Sequence, residues 1–414
     1  MELEHTSTSL LDKTMDEIHE NITRLEQGNM NCIPYPFQRS RKDFPGIERR
    51  CYYAVMANTK VGKSQFVNDV FVFEPIMEMY YGATDLEVNI LYCALEETPE
   101  RIMQRFMAWL LYRESGGKVR VSPRQIRSTL HKCPQEALDM LQDEHIKEIL
   151  GFFENHITFL PRSESNPTGI YNYCKAWAEK HGEVIYKEYT TKNEFGEDST
   201  NKVFERYIPH NPDAFNIVII DPINRVDRER GMDERQSMRK LSEYCYRYLR
   251  NDYLFSVVIV QQQTFGSYSL DARKINHFEP NMGDAGGSKE ILQDVDVAMS
   301  LYNPSEFGVE SYGGYDIRKL GKRSRFVKYM AARDGEGSGI TSLFFDGCCA
   351  QFNELPTPGN ASEMQAVYNY CEQLNLKHTP EELAALNPFI RKYQQPQQPK
   401  QGIITDFINL MFGH

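Results

Sequence analysis

Short runs of apolar residues bounded by polar ones recur along the chain and set its predicted architecture. The clearest are NIVIID at 216–221 and SVVIVQ at 256–261, which flank a segment of helical character at 234–249. Apolar strands that are joined through a helix are what a parallel sheet buried on both faces requires. The pattern therefore predicts an α/β core with a mainly parallel central sheet flanked by helices.

Other segments extend this core. Runs of the same kind predict further strands at 51–56, 87–94, 157–160, 295–301, 326–332 and 340–345. Helical spacing and end signals predict helices at 63–80, 98–113, 122–153, 168–180 and 362–374. Residues 183–210 alternate polar and apolar positions around a turn near Gly196. We interpret them as a β-hairpin inserted into the core.

The first helix is predicted at 9–27, where apolar residues recur every three or four positions and Gly28 follows as a stop. The apolar positions are Leu11, Met15, Ile18, Ile22 and Leu25. A single apolar stripe with polar flanks needs a partner surface. The helix either folds back on its own domain or docks on a neighbouring subunit.

The composition is that of an ordinary soluble globular protein, with 414 residues, 41% of them hydrophobic and 25% charged. No apolar run approaches the ~20 residues of a membrane span, and the first residues lack a signal-peptide pattern, so we expect a cytoplasmic protein with no membrane partner. The nine cysteines have no metal-ligand spacing, which favours reduced thiols. The net charge of −11 means that any nucleic-acid contact must be concentrated in a small basic site.

A phosphate-binding loop is predicted between the first core strand and its helix. The sequence there is ANTKVGKS, formed by Ala57, Asn58, Thr59, Lys60, Val61, Gly62, Lys63 and Ser64. A tight turn between strand and helix directs backbone N–H groups at a phosphate, while Lys63 supplies charge and Ser64 a hydroxyl for Mg²⁺. Ala57 replaces the usual glycine, which is tolerable if its φ is negative. The alternative is a chance GKS sequence; the motif predicts ATP and Mg²⁺ as ligands.

Two acidic positions follow predicted strands. An NTPase needs a carboxylate near Mg²⁺ and a group that activates water. Asp221 ends the strand 216–221 and is the candidate for the first, although an aspartate that starts an Asp-Pro turn is the alternative. Glu96 follows the strand 87–94 and is the candidate for the second, and we expect it beside the phosphate loop. Glu97 competes for this role, and either acid also suits a helix N-terminus.

Two further polar groups complete the candidate chemistry. Gln262 follows the strand 256–261 and is the candidate that senses the γ-phosphate, although Gln261 and Gln263 leave the choice open by one position. Arg333 begins the Gly-rich segment RDGEGSG between two predicted strands. Such an arginine can reach a neighbouring subunit's γ-phosphate and stabilise transition-state charge, and the alternative is a solvated residue in a hairpin turn.

Taken in order, these segments resemble the RecA-type ATPase domain of the DnaB family of hexameric replicative helicases, in a form such as bacteriophages encode. ANTKVGKS is similar to the phosphate loop of the family, LYCALEETPERIMQRF to its strand and catalytic glutamate, and IVIIDPINRV to its Mg²⁺ aspartate strand. VVIVQQQTF resembles the segment ending in SQLNR. GDAGGSKEILQDVDVAMSLYN and AARDGEGSGITSLFFD resemble two later segments, so that the similarity covers residues 30–355.

The resemblance implies a RecA-like P-loop NTPase core, with ATP at each boundary of a homo-oligomeric ring, a hexamer in that family. It implies that Ser64 and Asp221 hold Mg²⁺, that Glu96 activates water, that Gln262 senses the γ-phosphate, and that Arg333 is an arginine finger acting on the next subunit. Hydrolysis would drive a replicative DNA helicase along single-stranded DNA. Ala331 and Phe265 depart from the Lys and Arg of the family, as Ala57 does from its glycine.

The chain is divided on the same basis into 1–28, a docking helix that resembles the linker helix of such rings, and 29–355, the ATPase domain with its insertion at 183–210. A helical segment follows at 356–393, and the Gln/Pro-rich residues 394–401 lead into an apolar tail ending at 414. The family's N-terminal primase-contacting domain has no counterpart in the residues before the first core strand. The tail resembles peptides that bind sliding clamps, and a terminal helix packed on its own domain is the alternative.

Single-stranded DNA is expected against the loops that follow the Asp221 and Gln262 strands. The candidate contacts are Arg225, Arg228, Arg230 and Arg235 in the first loop, and Arg273, Lys274, Gly286, Gly287 and Lys289 in the second. Solvated charge on surface loops is the alternative for each. Two other functions stay open at this point: a RecA-like recombination ATPase that does not unwind DNA, and a weakly hydrolysing assembly factor.

Overall fold

A computed structural model of the chain describes residues 10–192, 198–263, 279–284, 291–333 and 339–390. Several predictions from the sequence lie outside these residues. They concern the hairpin turn at Gly196, Phe265, the DNA candidates Arg273, Lys274, Gly286, Gly287 and Lys289, and the tail 394–414.

The strands follow the apolar runs of the sequence. In the described residues they are β1 (Cys32–Pro34), β2 (Gly46–Glu48), β3 (Tyr52–Ala57), β4 (Glu87–Ala94), β5 (Ile157–Phe159), β6 (Gly182–Lys192), β7 (Asp198–Pro209), β8 (Ala214–Asp221), β9 (Ser256–Gln262), β10 (Val297–Tyr302), β11 (Ser311–Tyr312), β12 (Tyr315–Asp316), β13 (Ser324–Ala332), β14 (Gly339–Asp346) and β15 (Gln351–Glu354).

Nine of these strands form one central sheet in the order β15-β14-β13-β10-β3-β9-β8-β4-β5. The six strands from β10 to β5 are parallel, whereas β13, β14 and β15 add an antiparallel extension at one side. The predicted α/β fold with a mainly parallel sheet is confirmed. Because β9 and β8 separate β3 from β4, the carboxyl ends of these four strands form one continuous edge of the sheet.

Helices cover both faces of this sheet. Their bounds are α1 (Leu10–Glu26), α2 (Lys63–Asn68), α3 (Glu74–Tyr80), α4 (Pro99–Glu114), α5 (Pro123–Ile126), α6 (Gln135–Gln142), α7 (Glu144–His156), α8 (Pro167–Lys180), α9 (Glu234–Glu243), α10 (Ile317–Leu320), α11 (Ala361–Gln373) and α12 (Pro380–Leu386). A π-helical turn at Asp69–Phe73 joins α2 to α3, and another at Tyr244–Asp252 extends α9. No helix in the described ranges combines the length and hydropathy needed to cross a membrane.

The predicted helix at 122–153 is wrong as one element, since the structure divides it into α5, α6 and α7. Pro134 precedes α6 and lacks the N–H that a continuous helix would need there. Asp143 ends α6 with extended backbone, and its carboxylate accepts hydrogen bonds from the N–H groups of His145 and Ile146. This N-cap starts α7 in a new direction.

Alternate residues of β3 serve the two faces of the sheet. Tyr53 and Val55 pack with α2, α4 and α7, where the rings of Phe106 and Phe153 stack 3.8 Å apart. Tyr52 and Met56 face α8 and α9 on the other side. Burial on both faces explains why β3 reads as a continuous apolar run, and it holds the residues after Ala57 at a fixed position.

Helix α1 does not bury its apolar stripe against the described residues of its own chain. Leu11, Met15, Ile18 and Ile22 are 69%, 41%, 44% and 47% exposed. The carboxyl end of α1 is held by Arg24, which forms ion pairs with Asp85 and Asp213 on the core. The stripe is thus presented to solvent on a helix that is tied to the core at one end.

Two elements flank the core. Strands β6 and β7 form an antiparallel ribbon separate from the central sheet, and Tyr207 of β7 donates a hydrogen bond to the Ala178 carbonyl at 3.0 Å. At the other side, Met364, Val367 and Tyr370 of α11 pack against the antiparallel extension. Both elements lie away from the carboxyl edge of the parallel strands, where the candidate site is built.

Candidate nucleotide site

The loop between β3 and α2 has the local geometry of a phosphate cradle. Gly62 has a φ of +103° and Lys60 a φ of +66°, so the backbone turns through the left-handed region twice. A Cβ on Gly62 would lie 3.2 Å from the Gln65 side chain, which adds to the reason for glycine there. The first helical hydrogen bond then runs from the Phe66 N–H to the Gly62 carbonyl at 2.8 Å.

Ala57 fits where the motif usually has glycine. It is the last residue of β3, is fully buried, and pairs with Leu301 on one side and Gln262 on the other. Its carbonyl accepts a hydrogen bond from the Gln263 N–H at 2.8 Å. Its backbone is extended rather than left-handed, so the condition for tolerating a methyl group is met.

Asp221 ends β8 at the same edge of the sheet and is buried. Burial raises the pKa of its carboxyl above the ordinary value, whereas hydrogen bonding with Ser64 and Tyr92 and the charge of Lys63 act to lower the pKa. The Tyr92 hydroxyl lies 3.0 Å from Asp221 Oδ2. The other oxygen, Oδ1, is buried and has no hydrogen-bond partner in the described part of the chain.

The residues present fit a magnesium ion. A buried carboxylate oxygen without a partner is unfavourable unless a cation or water satisfies it. Ser64 and Asp221 supply the hard oxygen ligands that Mg²⁺ accepts, and Mg²⁺ usually keeps several waters besides one or two such ligands. Ser64 and Asp221 are therefore the residues that would hold the ion.

Glu96 lies beside Asp221 rather than beside the phosphate loop, which corrects the expectation from the sequence. The reason is the strand order, since β9 and β8 both lie between β3 and β4. The Leu95 N–H donates to the Asp221 carbonyl at 2.9 Å and so fixes the start of this segment. The Glu96 side chain is exposed, whereas Glu97 is partly buried and forms an ion pair with Arg105.

The three consecutive glutamines have different environments. Gln262 donates a hydrogen bond from its amide to the Thr59 hydroxyl in the phosphate loop. Gln263 is buried and accepts a hydrogen bond from the Ser300 hydroxyl at 2.7 Å, and Gln261 is buried as well. Among the three, Gln262 is the one whose side chain contacts the loop, because β9 lies directly beside β3.

Arg333 lies at the opposite edge of the sheet. It follows β13, whose last residue Ala332 pairs with Val297, and Val297 in turn pairs with Tyr53 near the start of β3. The six residues of β3 separate this edge from the loop by roughly 20 Å. Arg333 is 49% exposed and forms an ion pair with Asp296 at 3.4 Å. It is therefore too far away to contact a nucleotide in the phosphate loop of its own chain.

Arg325 contacts the phosphate loop and was not predicted from the sequence. Its Nε donates to the Val61 carbonyl at 2.6 Å, and its Nη1 donates to the Lys322 and Ser324 carbonyls. Its guanidinium lies 4.9 Å from the centre of the Phe345 ring. Burial lowers the pKa of Arg325 to about 10. A charged residue inside the buried strand β13 was the signal in the sequence.

The loop after β8 presents the first group of DNA candidates at the carboxyl edge. The side chains of Arg225, Arg228, Arg230 and Arg235 are exposed. Glu229 anchors the loop, since its carboxylate accepts hydrogen bonds from the N–H and hydroxyl of Thr168 and pairs with Lys240 at 3.3 Å. The arginines thus lie on a fixed loop near the candidate magnesium ligands.

Comparison with known proteins gives matches in solved structures. An isolated helicase ATPase domain matches with a TM-score of 0.58 and 18% identity, over 84% of this chain and 100% of that one. A DnaB-like replicative helicase, described with its interactions with primase, matches with a TM-score of 0.56 and 17% identity, over 84% and 67% of the two chains. No family model and no curated protein matches the chain. The resemblance predicted from the motifs is confirmed at the level of fold: this chain has the RecA-like α/β fold of helicase ATPase domains.

Proposed function

We propose that this chain is the ATP-hydrolysing subunit of a DnaB-type replicative DNA helicase that works as a ring on single-stranded DNA. The observation that carries the proposal is the assembly of the Gly62 loop, Asp221 and the Gln262–Thr59 contact at one edge of a RecA-like sheet. Such an edge is where ligands of open α/β sheets bind.

The binding half of the proposed site is formed by the loop and the start of α2. The loop N–H groups and Lys63 would bind the phosphates of ATP. Ser64 and Asp221 would hold Mg²⁺, which when bound neutralises charge on the phosphoryl oxygens. Arg325 supports this half by holding the Val61 carbonyl from beneath the loop.

The hydrolytic half uses residues that follow β4 and β9. Glu96 would accept a proton from the attacking water, and its exposure is consistent with access to that water. Glu97 is less suited because the Arg105 guanidinium already neutralises it. Gln262 would exchange its hydrogen bond to Thr59 for one to the γ-phosphate, and so connect the presence of ATP to the residues that follow β9.

Two features support assembly with neighbouring copies. Arg333 is at the wrong edge to serve its own loop, so an arginine finger acting on an adjacent subunit is the role that its position allows. The exposed stripe of α1 has no cover in the described chain, and a neighbouring copy would supply one. Both contacts are head-to-tail, which is the kind of interface that closes into a ring.

The experiment that tests the proposal measures Mg²⁺-dependent ATP hydrolysis with and without oligo(dT), and strand displacement on a forked duplex. We expect single-stranded DNA to stimulate turnover, and Lys63→Ala to abolish both activities. Lys60→Gly is the matched control, because it changes an exposed loop lysine and relieves its left-handed backbone. Turnover without strand displacement would favour a single-strand ATPase that does not unwind, and turnover unaffected by Lys63→Ala would contradict the site.

A further inference from the structure

Tyr92 joins the two elements that carry the candidate magnesium ligands. It lies on β4 and is 1% exposed. Its hydroxyl is 3.0 Å from Asp221 Oδ2 at the end of β8 and 2.9 Å from the side-chain oxygen of Asn68 at the end of α2. Helix α2 begins at Lys63 and Ser64, so a single phenol connects the helix of the phosphate loop to the carboxylate.

The donors and acceptors around Tyr92 can be ordered. A phenol has one proton, and burial raises the pKa of Tyr92 so that this proton is retained. Asn68 is fully buried, and its Nδ2 has no hydrogen-bond partner among the described residues. The two orientations of a side-chain amide are distinguished by its hydrogen bonds. With Nδ2 turned to Tyr92, Asn68 donates to the phenol oxygen and Tyr92 donates its one proton to Asp221.

This order leaves the two oxygens of Asp221 with different roles. Oδ2 is occupied by the Tyr92 hydroxyl, whereas Oδ1 is buried and has no partner within the described chain. A carboxylate rotates readily about its last torsion, and Mg²⁺ demands near-ideal geometry of its ligands. Hydrogen bonds from neighbouring side chains are how proteins fix such ligands.

We propose that Tyr92 is a positioning residue for the metal-binding carboxylate: its hydroxyl holds Asp221 through Oδ2, supported by Asn68, and leaves Oδ1 to the Mg²⁺ that accompanies ATP. This inference rests on the proposed function, since it concerns the same site. It adds a residue that belongs to neither the phosphate loop nor the acidic positions predicted from the sequence.

The test is Tyr92→Phe, which removes the hydroxyl and keeps the ring. Binding of a fluorescent ATP analogue is titrated with Mg²⁺, and we expect the half-saturating Mg²⁺ concentration to rise about 10–100-fold. Nucleotide affinity in EDTA stays within about twofold, because the phosphate loop itself is unchanged. Tyr329→Phe is the matched control, since this tyrosine is buried on β13 and its hydroxyl bonds to Thr341 instead.

A second background keeps the test decisive if Tyr92→Phe lowers stability. In Asp221→Asn the buried charge is gone, so adding Tyr92→Phe should not change the Mg²⁺ dependence further. The inference is overturned if Tyr92→Phe keeps the wild-type Mg²⁺ dependence, or if it weakens nucleotide binding equally in Mg²⁺ and in EDTA. Nucleotide binding by the wild type that does not respond to Mg²⁺ would overturn the proposed function and this inference together.

Discussion

The Gln262 amide donates a hydrogen bond to the Thr59 hydroxyl, which joins the end of β9 to the phosphate loop. If this contact is the resting state of the γ-phosphate sensor, removing the amide should impair the chemical step more than binding. We expect Gln262→Ala to lower ATP turnover by at least about tenfold, with nucleotide affinity changed less than about threefold. Steady-state hydrolysis and fluorescent-nucleotide titration measure the two quantities.

The matched control for this contact is Thr59→Val, which removes the acceptor and leaves Gln262 in place. Because the resting contact is exchanged when ATP binds, we expect Thr59→Val to keep turnover within about twofold of the wild type. Equal losses in Thr59→Val and Gln262→Ala would instead mean that the hydrogen bond only stabilises the loop.

Glu96 and Glu97 are adjacent acids with different surroundings, and the difference predicts which one acts on water. Glu96→Gln should lower turnover by about 100-fold or more, as expected for loss of a general base. Glu97→Gln should have a smaller effect on turnover, because Arg105 already neutralises this carboxylate. Single-turnover hydrolysis at saturating ATP compares them directly. The reverse ranking would assign the role to Glu97.

Arg333 and Lys63 should complement each other between subunits. Each of Arg333→Ala and Lys63→Ala is expected to be inactive alone. In an equimolar mixture, a loop from the Arg333→Ala chain meets an intact Arg333 at about one quarter of randomly formed boundaries, so about that fraction of turnover returns. A mixture that stays inactive at every ratio, although mass measurements show mixed assemblies, would argue against action between subunits.

The apolar stripe of α1 should carry an intersubunit contact. Ile18→Asp places a charge in the middle of the stripe and is expected to shift particle mass from a closed oligomer toward monomer, as measured by light scattering with Mg²⁺ and a non-hydrolysable ATP analogue. His19→Asp adds the same charge one position away, outside the apolar stripe, and should leave the mass unchanged. Equal mass for the two variants and the wild type would exclude the stripe from the interface.

The sequence predicts those parts of this fold whose physical causes are local. Strands β8 and β9 are continuous Val/Ile runs because both their faces are buried, and the Gly62 loop follows from a short motif with special backbone needs. The order of strands is a different matter, since pairing joins distant segments. Glu96 was accordingly expected beside the phosphate loop, whereas β4 pairs with β8 and brings it to Asp221.

Contacts of single side chains across the fold are equally hard to predict. Arg325 reaches the Val61 carbonyl from 264 positions away, and the sequence around it predicts only a strand. Tyr92 likewise appears as one more buried residue of β4, and its bond to Asp221 depends on the sheet order. The positions whose type contradicts a buried strand, such as an arginine within β13, are the ones that a sequence alone can flag.

Glu229 should stabilise the arginine-bearing loop in a pH-dependent way. Burial alone would raise the pKa of Glu229, but hydrogen bonds from Thr168 and the charge of Lys240 lower it below the ordinary value. A carboxyl with a lowered pKa contributes stability above its ordinary value of about 4.3 and loses this contribution as pH falls through the lowered value. We expect Glu229→Gln to reduce Tm by about 2 °C at pH 7.5.

The difference between Glu229→Gln and the wild type should be constant above about pH 5.5 and should close below about pH 4.3, because protonation then removes the same charge from the wild type. Glu234→Gln is the control, since its pair with Arg228 is exposed at both ends and should change Tm by less than about 0.5 °C. A released loop also presents its arginines less well, so stimulation by oligo(dT) should weaken in Glu229→Gln while hydrolysis without DNA is retained. Unchanged stimulation with a lower Tm would separate the anchor of the loop from the binding of DNA.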